Sequence, residues 1–116
     1  MITDSQTNFL YLANTLPKKY PDFYERFAQV LKSCKIDFAL LPDTKDVWAV
    51  DYMPIQTSPE RFVRFLYRPS YLTKYKKYKD EFPDVDKICE SIGINTIKTD
   101  IILDGGNVTR WQNKVI

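Results

Sequence analysis

This sequence predicts an α/β fold, and three observations carry that expectation. The chain opens as strand, helix, strand between Thr7 and Leu41, with a helical apolar period set between two short apolar runs. Further short β-type runs then alternate with helix-type stretches up to the last residue. The composition, 44% hydrophobic and 28% charged over 116 residues, is that of an ordinary globular chain. That length predicts a single unit, 1–116, able to bury roughly two thirds of its unfolded surface.

The first strand is expected at Thr7–Ala13, a run of apolar and aromatic residues, followed by a turn at Asn14–Pro17. Pro21 suits the first turn of a helix, where its missing N–H has no partner to lose. Phe23, Phe27, Val30 and Leu31 then recur at helical spacing. Ile36–Leu41 is the second strand, ended by Pro42-Asp43, and a parallel pair is expected. A second unit begins at Asp46, where Val47–Val50 and Asp51–Pro54 read as an apolar strand with an embedded acid. Ile55-Gln56 continues it to a turn at Thr57–Glu60, and Arg61–Tyr67 is the next strand.

Ser70–Lys79 has helical spacing in Tyr71, Leu72, Tyr75 and Tyr78. Pro83 opens another helix, with Val85, Ile88, Cys89 and Ile92 as its buried stripe and Gly93 at its end. Ile94–Ile97 and Ile101–Leu103 read as two strands broken by Lys98–Asp100. After a turn at Asp104–Asn107 the chain continues through Val108–Trp111 to Val115-Ile116, which reads as the start of an unpaired strand. The chain is therefore expected to be the N-terminal part of something longer.

Composition excludes several function classes. There is no histidine, so no His base, His metal ligand or His pH switch can be complete within these residues. Two cysteines, Cys34 and Cys89, make neither a disulfide framework nor a zinc cluster, and both read as structural. Three glycines exclude a glycine-rich phosphate loop. No metal and no cofactor are expected. No run approaches the ~18 apolar residues of a membrane span. The first residues lack a basic n-region and an apolar h-region, so the expected compartment is the cytoplasm.

Three segments could carry chemistry. Arg61–Lys79 holds seven cations and no acid, leaving 10 cations against 15 acids elsewhere. Interleaved aromatics there could stack bases while the cations meet phosphates. The favoured reading is a strand and a helix with core aromatics and solvated lysines, and nucleic acid is not an expected partner. In Trp48–Pro54, Asp51 lies beside an indole, a pairing able to receive a planar guanidinium through a bidentate bond and a cation–π face. A purely structural alternative has Asp51 capping a turn or pairing with Arg64. In Leu103–Asn107, Gly105-Gly106 after Asp104 allows a sharp turn and close approach to a ligand, and the same four residues are also a hairpin signal.

Taken together, Trp48-Ala49-Val50-Asp51-Tyr52-Met53-Pro54, Tyr67-Arg68-Pro69 and Leu103-Asp104-Gly105-Gly106-Asn107 resemble, in order and spacing, elements of the agmatine deiminase and bacterial peptidylarginine deiminase family. These elements are W-x-R-D-x-x-P, x-R-P and E/D-G-G-N. The resemblance implies a pentein-type five-bladed α/β propeller of ββαβ units, of which this chain would supply the first blades. It implies hydrolysis of a guanidino group to a ureido group plus ammonia, with agmatine the preferred substrate and arginine or peptidyl-arginine the others. Asp51 and Asp104 would be catalytic carboxylates, Asp51 holding guanidinium nitrogens and Asp104 orienting a histidine. Trp48 would wall the pocket, Arg68 would sit near the distal end of the substrate, and Gly105, Gly106 and Asn107 would allow its close approach.

The chain departs from that pattern in three ways. Val50 stands where an arginine is usual, and Asp104 is one methylene shorter than the common Glu. The H-x-D segment and the nucleophilic cysteine of the family have no counterpart in these residues, so the chain by itself is not expected to turn over substrate. A further expectation is association of two copies through exposed sheet edges.

Overall fold

The computed structural model describes residues 2–70, 74, 82–111 and 114–115. Among these residues the architecture is mixed α/β, with three small sheets and helices between them. Strand β1 (Phe9–Ala13) pairs in parallel with β2 (Asp37–Leu41), Phe9 opposite Asp37 and Ala13 opposite Leu41. Helix α2 (Pro21–Ser33) makes the crossover between them, as the parallel pair requires.

One element before it differs from expectation. Residues around Pro17 form a single helical turn, α1 (Leu16–Lys19), because the N–H groups of Lys19 and Tyr20 reach back to the carbonyls of Thr15 and Leu16. The apolar stripe on α2 is real but only partly covered. Leu31 is buried, whereas Phe23 and Val30 remain about half exposed, at 49% and 54%. Phe23 and Phe27 stack on each other at 5.5 Å. Cys34, expected to be structural, is exposed just past the end of α2 and packs into no core.

The second sheet has the order β3-β4-β5, built from β3 (Ile55–Ser58), β4 (Arg61–Leu66) and β5 (Thr96–Ile102). The β3/β4 pair is antiparallel and the β4/β5 pair parallel, with helix α4 (Val85–Ser91) between β4 and β5 in the chain. As expected, α4 buries Val85, Ile88 and Cys89, and Gly93 follows it at φ +74°. The Asp84 carboxylate accepts the Lys87 N–H at 3.1 Å and starts the helix.

The break expected at Lys98–Asp100 does not separate two strands. The strand is continuous, and between paired residues β5 advances four positions, from Lys98 to Ile102, where β4 advances two, from Arg64 to Leu66. The Thr99 hydroxyl accepts the Ile101 N–H at 2.9 Å, so this local side-chain bond satisfies a donor within the irregular stretch. Val115 is not unpaired either. β6 (Arg110–Trp111) and β7 (Lys114–Val115) form an antiparallel pair. The hairpin reading of Asp104–Asn107 fails for the same reason: β6 pairs with β7, not with β5. The helix expected at Ser70–Lys79 lies outside the described residues except for Ser70 and Lys74, both helical.

Leu41, Tyr52, Val85, Ile88 and Cys89 form one buried cluster. It joins the end of the first sheet to α4, with Ala49, Met53, Tyr67, Ile92 and Ile94 packed around it. Burial pushes the Cys89 thiol up, the Asp86 charge adds to this, and Arg64 opposes it. Such a thiol is a packing group rather than a nucleophile at neutral pH. Asp86 on α4 meets Arg64 of β4 at 3.2 Å and Lys98 of β5 at 2.7 Å, so one carboxylate ties together three elements. This also answers whether Asp51 pairs with Arg64: the guanidinium of Arg64 is held by Asp86.

Candidate carboxylate site

The segment expected to be a strand with an embedded acid is instead a single helical turn, α3 (Ala49–Tyr52). The local chemistry explains the change. The Asp46 carboxylate accepts the Trp48 N–H at 2.8 Å, which bends the chain before a strand can continue. The N–H groups of Asp51 and Met53 then reach the carbonyls of Trp48 and Ala49 at 3.0 and 2.9 Å. Asp51 thus leaves the sheet and stands on a short helical platform. Trp48 and Val50 remain exposed, at 59% and 60%.

The 3-10 turn Gly105–Asn107 follows β5 and meets that platform. The Gly106 N–H donates to Asp51 Oδ1 at 3.2 Å across a sequence separation of 55 residues. The two glycines are required for space rather than for backbone angle, since neither has a positive φ. A Cβ on Gly105 would overlap the Val50 carbonyl oxygen, and a Cβ on Gly106 would overlap Asp51 Oδ1. From its residues, this turn is expected to approach a ligand closely. What the turn closely approaches in the structure is α3.

Asp104 joins the same group. Partial burial raises its carboxyl above the ordinary 3.8, and the charge of Asp51 raises it further. Two half-buried carboxylates that repel one another are relieved by a cation placed between them. A guanidinium suits that role because it is planar, permanently charged and carries several donors in a fixed fork. The Trp48 indole at the start of α3 is exposed.

The structure therefore brings together Asp51, Asp104, Gly105 and Gly106. Asn107 is exposed, and its N–H closes the turn onto the Asp104 carbonyl at 2.9 Å. Arg68 is exposed beyond β4 and makes no ion pair with Asp51 or Asp104 among the described residues. No group of three or more His, Cys, Asp or Glu among the described residues is placed to hold a metal ion.

Sequence reasoning missed a set of supporting residues: Asn14, Thr15, Thr44 and Asp46. Thr44 is buried to 6% exposure, and its hydroxyl donates to the Asn14 side-chain oxygen at 2.6 Å. The signals were a short polar pair at the end of a parallel strand and an Asp two residues before Trp48, patterns common in turns.

No family model and no curated protein compared with this chain matches it.

Proposed function

We propose that this chain carries the guanidinium-binding part of a deiminase that hydrolyses a guanidino group to a ureido group and ammonia, with agmatine as the preferred substrate. The observation that carries the reading is the junction of α3 with the Gly105–Asn107 turn. Asp51 and Asp104 are far apart in sequence, yet their charges interact, and Gly106 holds the Asp51 carboxylate in place. In this reading Asp51 receives the guanidinium nitrogens and Trp48 stacks on the cation. Asp104 is left to orient a histidine, with Gly105, Gly106 and Asn107 forming the tight wall and Arg68 meeting the distal end of the substrate.

The chemistry divides between this chain and residues outside it. Attack by a thiolate on the guanidinium carbon forms a neutral tetrahedral adduct; protonation of one amino group lets it leave as ammonia, giving a cationic thiouronium intermediate, and water then adds and expels the thiolate to leave the ureido product. These 116 residues contain no histidine, so the proton carrier must come from elsewhere. Cys89 is buried in the core cluster and Cys34 lies just past the end of α2, neither of them in the carboxylate group, so in this reading the nucleophile comes from elsewhere too. What Asp51 contributes is orientation and charge, holding the cation planar so that one face is open to attack.

The proposal extends to architecture. The order β3, β4, α4, β5, with one antiparallel and one parallel pairing, supports a ββαβ unit of a five-bladed propeller. No helix among the described residues is long and apolar enough to cross a membrane, and the proposed compartment is the cytoplasm.

The test is titration of the chain with agmatine, followed by amide resonances. Binding with Kd near 1 mM, about 4 kcal/mol, is expected to move the Asp51, Gly105 and Gly106 resonances, and Asp51→Asn should abolish it. Absence of any shift at ten times that concentration, or equal shifts with Asp51→Asn, would overturn the reading.

A second reading, self-association, is favoured by β5, which lies at the edge of its sheet with Ile97, Ile101 and Ile102 each more than half exposed. Sedimentation at about 100 μM, near the weak end of specific association, should then show dimers. A single monomer boundary at that concentration rules the association out.

A further inference from the structure

The guanidinium platform is held from outside by a polar brace that reaches it from the end of β1. Thr15 is the pivot. Its hydroxyl donates to the Asp46 carbonyl at 2.7 Å, and its N–H donates to Thr44 Oγ1 at 3.3 Å. Thr44 has already given its proton to Asn14 Oδ1 at 2.6 Å, so the 3.4 Å contact between the two hydroxyls has no proton left to share. The Asn14 N–H in turn donates to the Leu41 carbonyl at 3.2 Å, which anchors the brace on the buried end of β2. From Asp46 the brace continues to α3, since the Asp46 carboxylate holds the Trp48 N–H and Trp48 accepts the Asp51 N–H.

The far end of α3 meets the same brace. The Tyr52 hydroxyl is buried beside Thr44 without the alignment of a hydrogen bond. Burial drives its pKa far up, the charge of Asp46 adds to this, Thr44 opposes it, and Asp51 adds a smaller push. The first turn of the four-residue helix that carries Asp51 is thus set from the Asn14–Thr15 and Thr44–Asp46 loops, while Tyr52 at its other end is held in the core cluster. A helix of this length has no stability of its own. Its position must be imposed by its surroundings.

The geometry points to Thr15 as a positioning residue for the carboxylate site: by holding the Asp46 carbonyl it fixes the turn from which Trp48 and Asp51 are presented. This rests on the guanidinium reading for its functional meaning, while the mechanical link is independent of any ligand. Removing the hydroxyl frees the 46–48 turn, moves Asp51, and loosens the bond from Gly106.

The experiment compares wild-type chain with Thr15→Val and Thr15→Ser, by amide resonances without ligand and then by agmatine titration. Thr15→Val is expected to shift the Trp48, Asp51 and Gly106 resonances and to weaken agmatine about tenfold, the scale of one hydrogen-bonded positioning contact. Thr15→Ser keeps the hydroxyl and is expected to restore both. A purely structural role would lower the melting temperature and leave the folded-state Gly106 resonance in place. That result, or unchanged affinity with Thr15→Val, overturns the inference. If Thr15→Val does not fold, Asp46→Ala cuts the last link to Trp48 and must move the same resonances. If wild-type chain binds no agmatine, the guanidinium reading falls, and the brace stands or falls on the ligand-free resonances alone.

Discussion

Replacing Leu41 by Ala is expected to lower the unfolding free energy by about 2–5 kcal/mol. Leu41 is fully buried, with Tyr52, Val85, Ile88 and Cys89 forming the cluster around it. It belongs to β2, whereas the other members come from α3 and α4, so its side chain joins the first sheet to the rest of the molecule. The loss has two parts: transfer of the removed carbons, and a cavity that neighbours fixed by strands and helices fill only partly. Against a total of roughly 5–15 kcal/mol for a domain of this size, such a loss removes a large share of the stability. Urea unfolding followed by far-UV circular dichroism gives the number. A loss under about 1 kcal/mol would mean that the two halves are not joined through this cluster.

Gly105→Ala is the second large effect, expected on stability and on the proposed agmatine binding. The added Cβ would occupy the place of the Val50 carbonyl oxygen. Since that atom is backbone, the turn and α3 must separate. Overpacking of this kind costs typically about 1–3 kcal/mol. Separation also breaks the Gly106-to-Asp51 bond, so agmatine binding is expected to fall more than tenfold, or about 1.4 kcal/mol. Gly106→Ala is a useful contrast. Its Cβ meets the Asp51 carboxylate itself, a side chain that can rotate away, so stability should fall less while binding is still lost. Urea unfolding and agmatine titration of the two variants check this order. Wild-type stability in Gly105→Ala would show that the turn does not pack on α3 as described.

The fold was legible in the sequence wherever a period was long enough to identify an element. The 13-residue α2 and the buried stripe of α4 follow from apolar spacing, and the β1/β2 pair follows from short apolar runs on either side of a helix. Short elements were not legible. The four-residue turns α1 and α3 carry no period, and α3 forms because the Asp46 side chain caps a bend in an otherwise strand-like run. In β5, the polar Lys98–Asp100 stretch reads as a break, yet the strand continues through it and only its register with β4 shifts there. Val115 pairs with Arg110, a contact with no signature in either residue.

For the site, the residue types can be read without the fold: two acids in short motifs, an adjacent glycine pair, no histidine and two cysteines. Those facts bound the chemistry regardless of how the chain folds. Packing of the Gly105–Asn107 turn on α3 brings the charge of Asp51 within reach of Asp104, while Arg68 makes no ion pair with either among the described residues. The tertiary structure also decided that the glycines serve contact with α3 and that Thr15 and Thr44 stand behind the platform. The physical reason is range. Composition and period express local preferences, whereas a carboxylate's surroundings depend on which distant backbone happens to pack within a few ångströms of it.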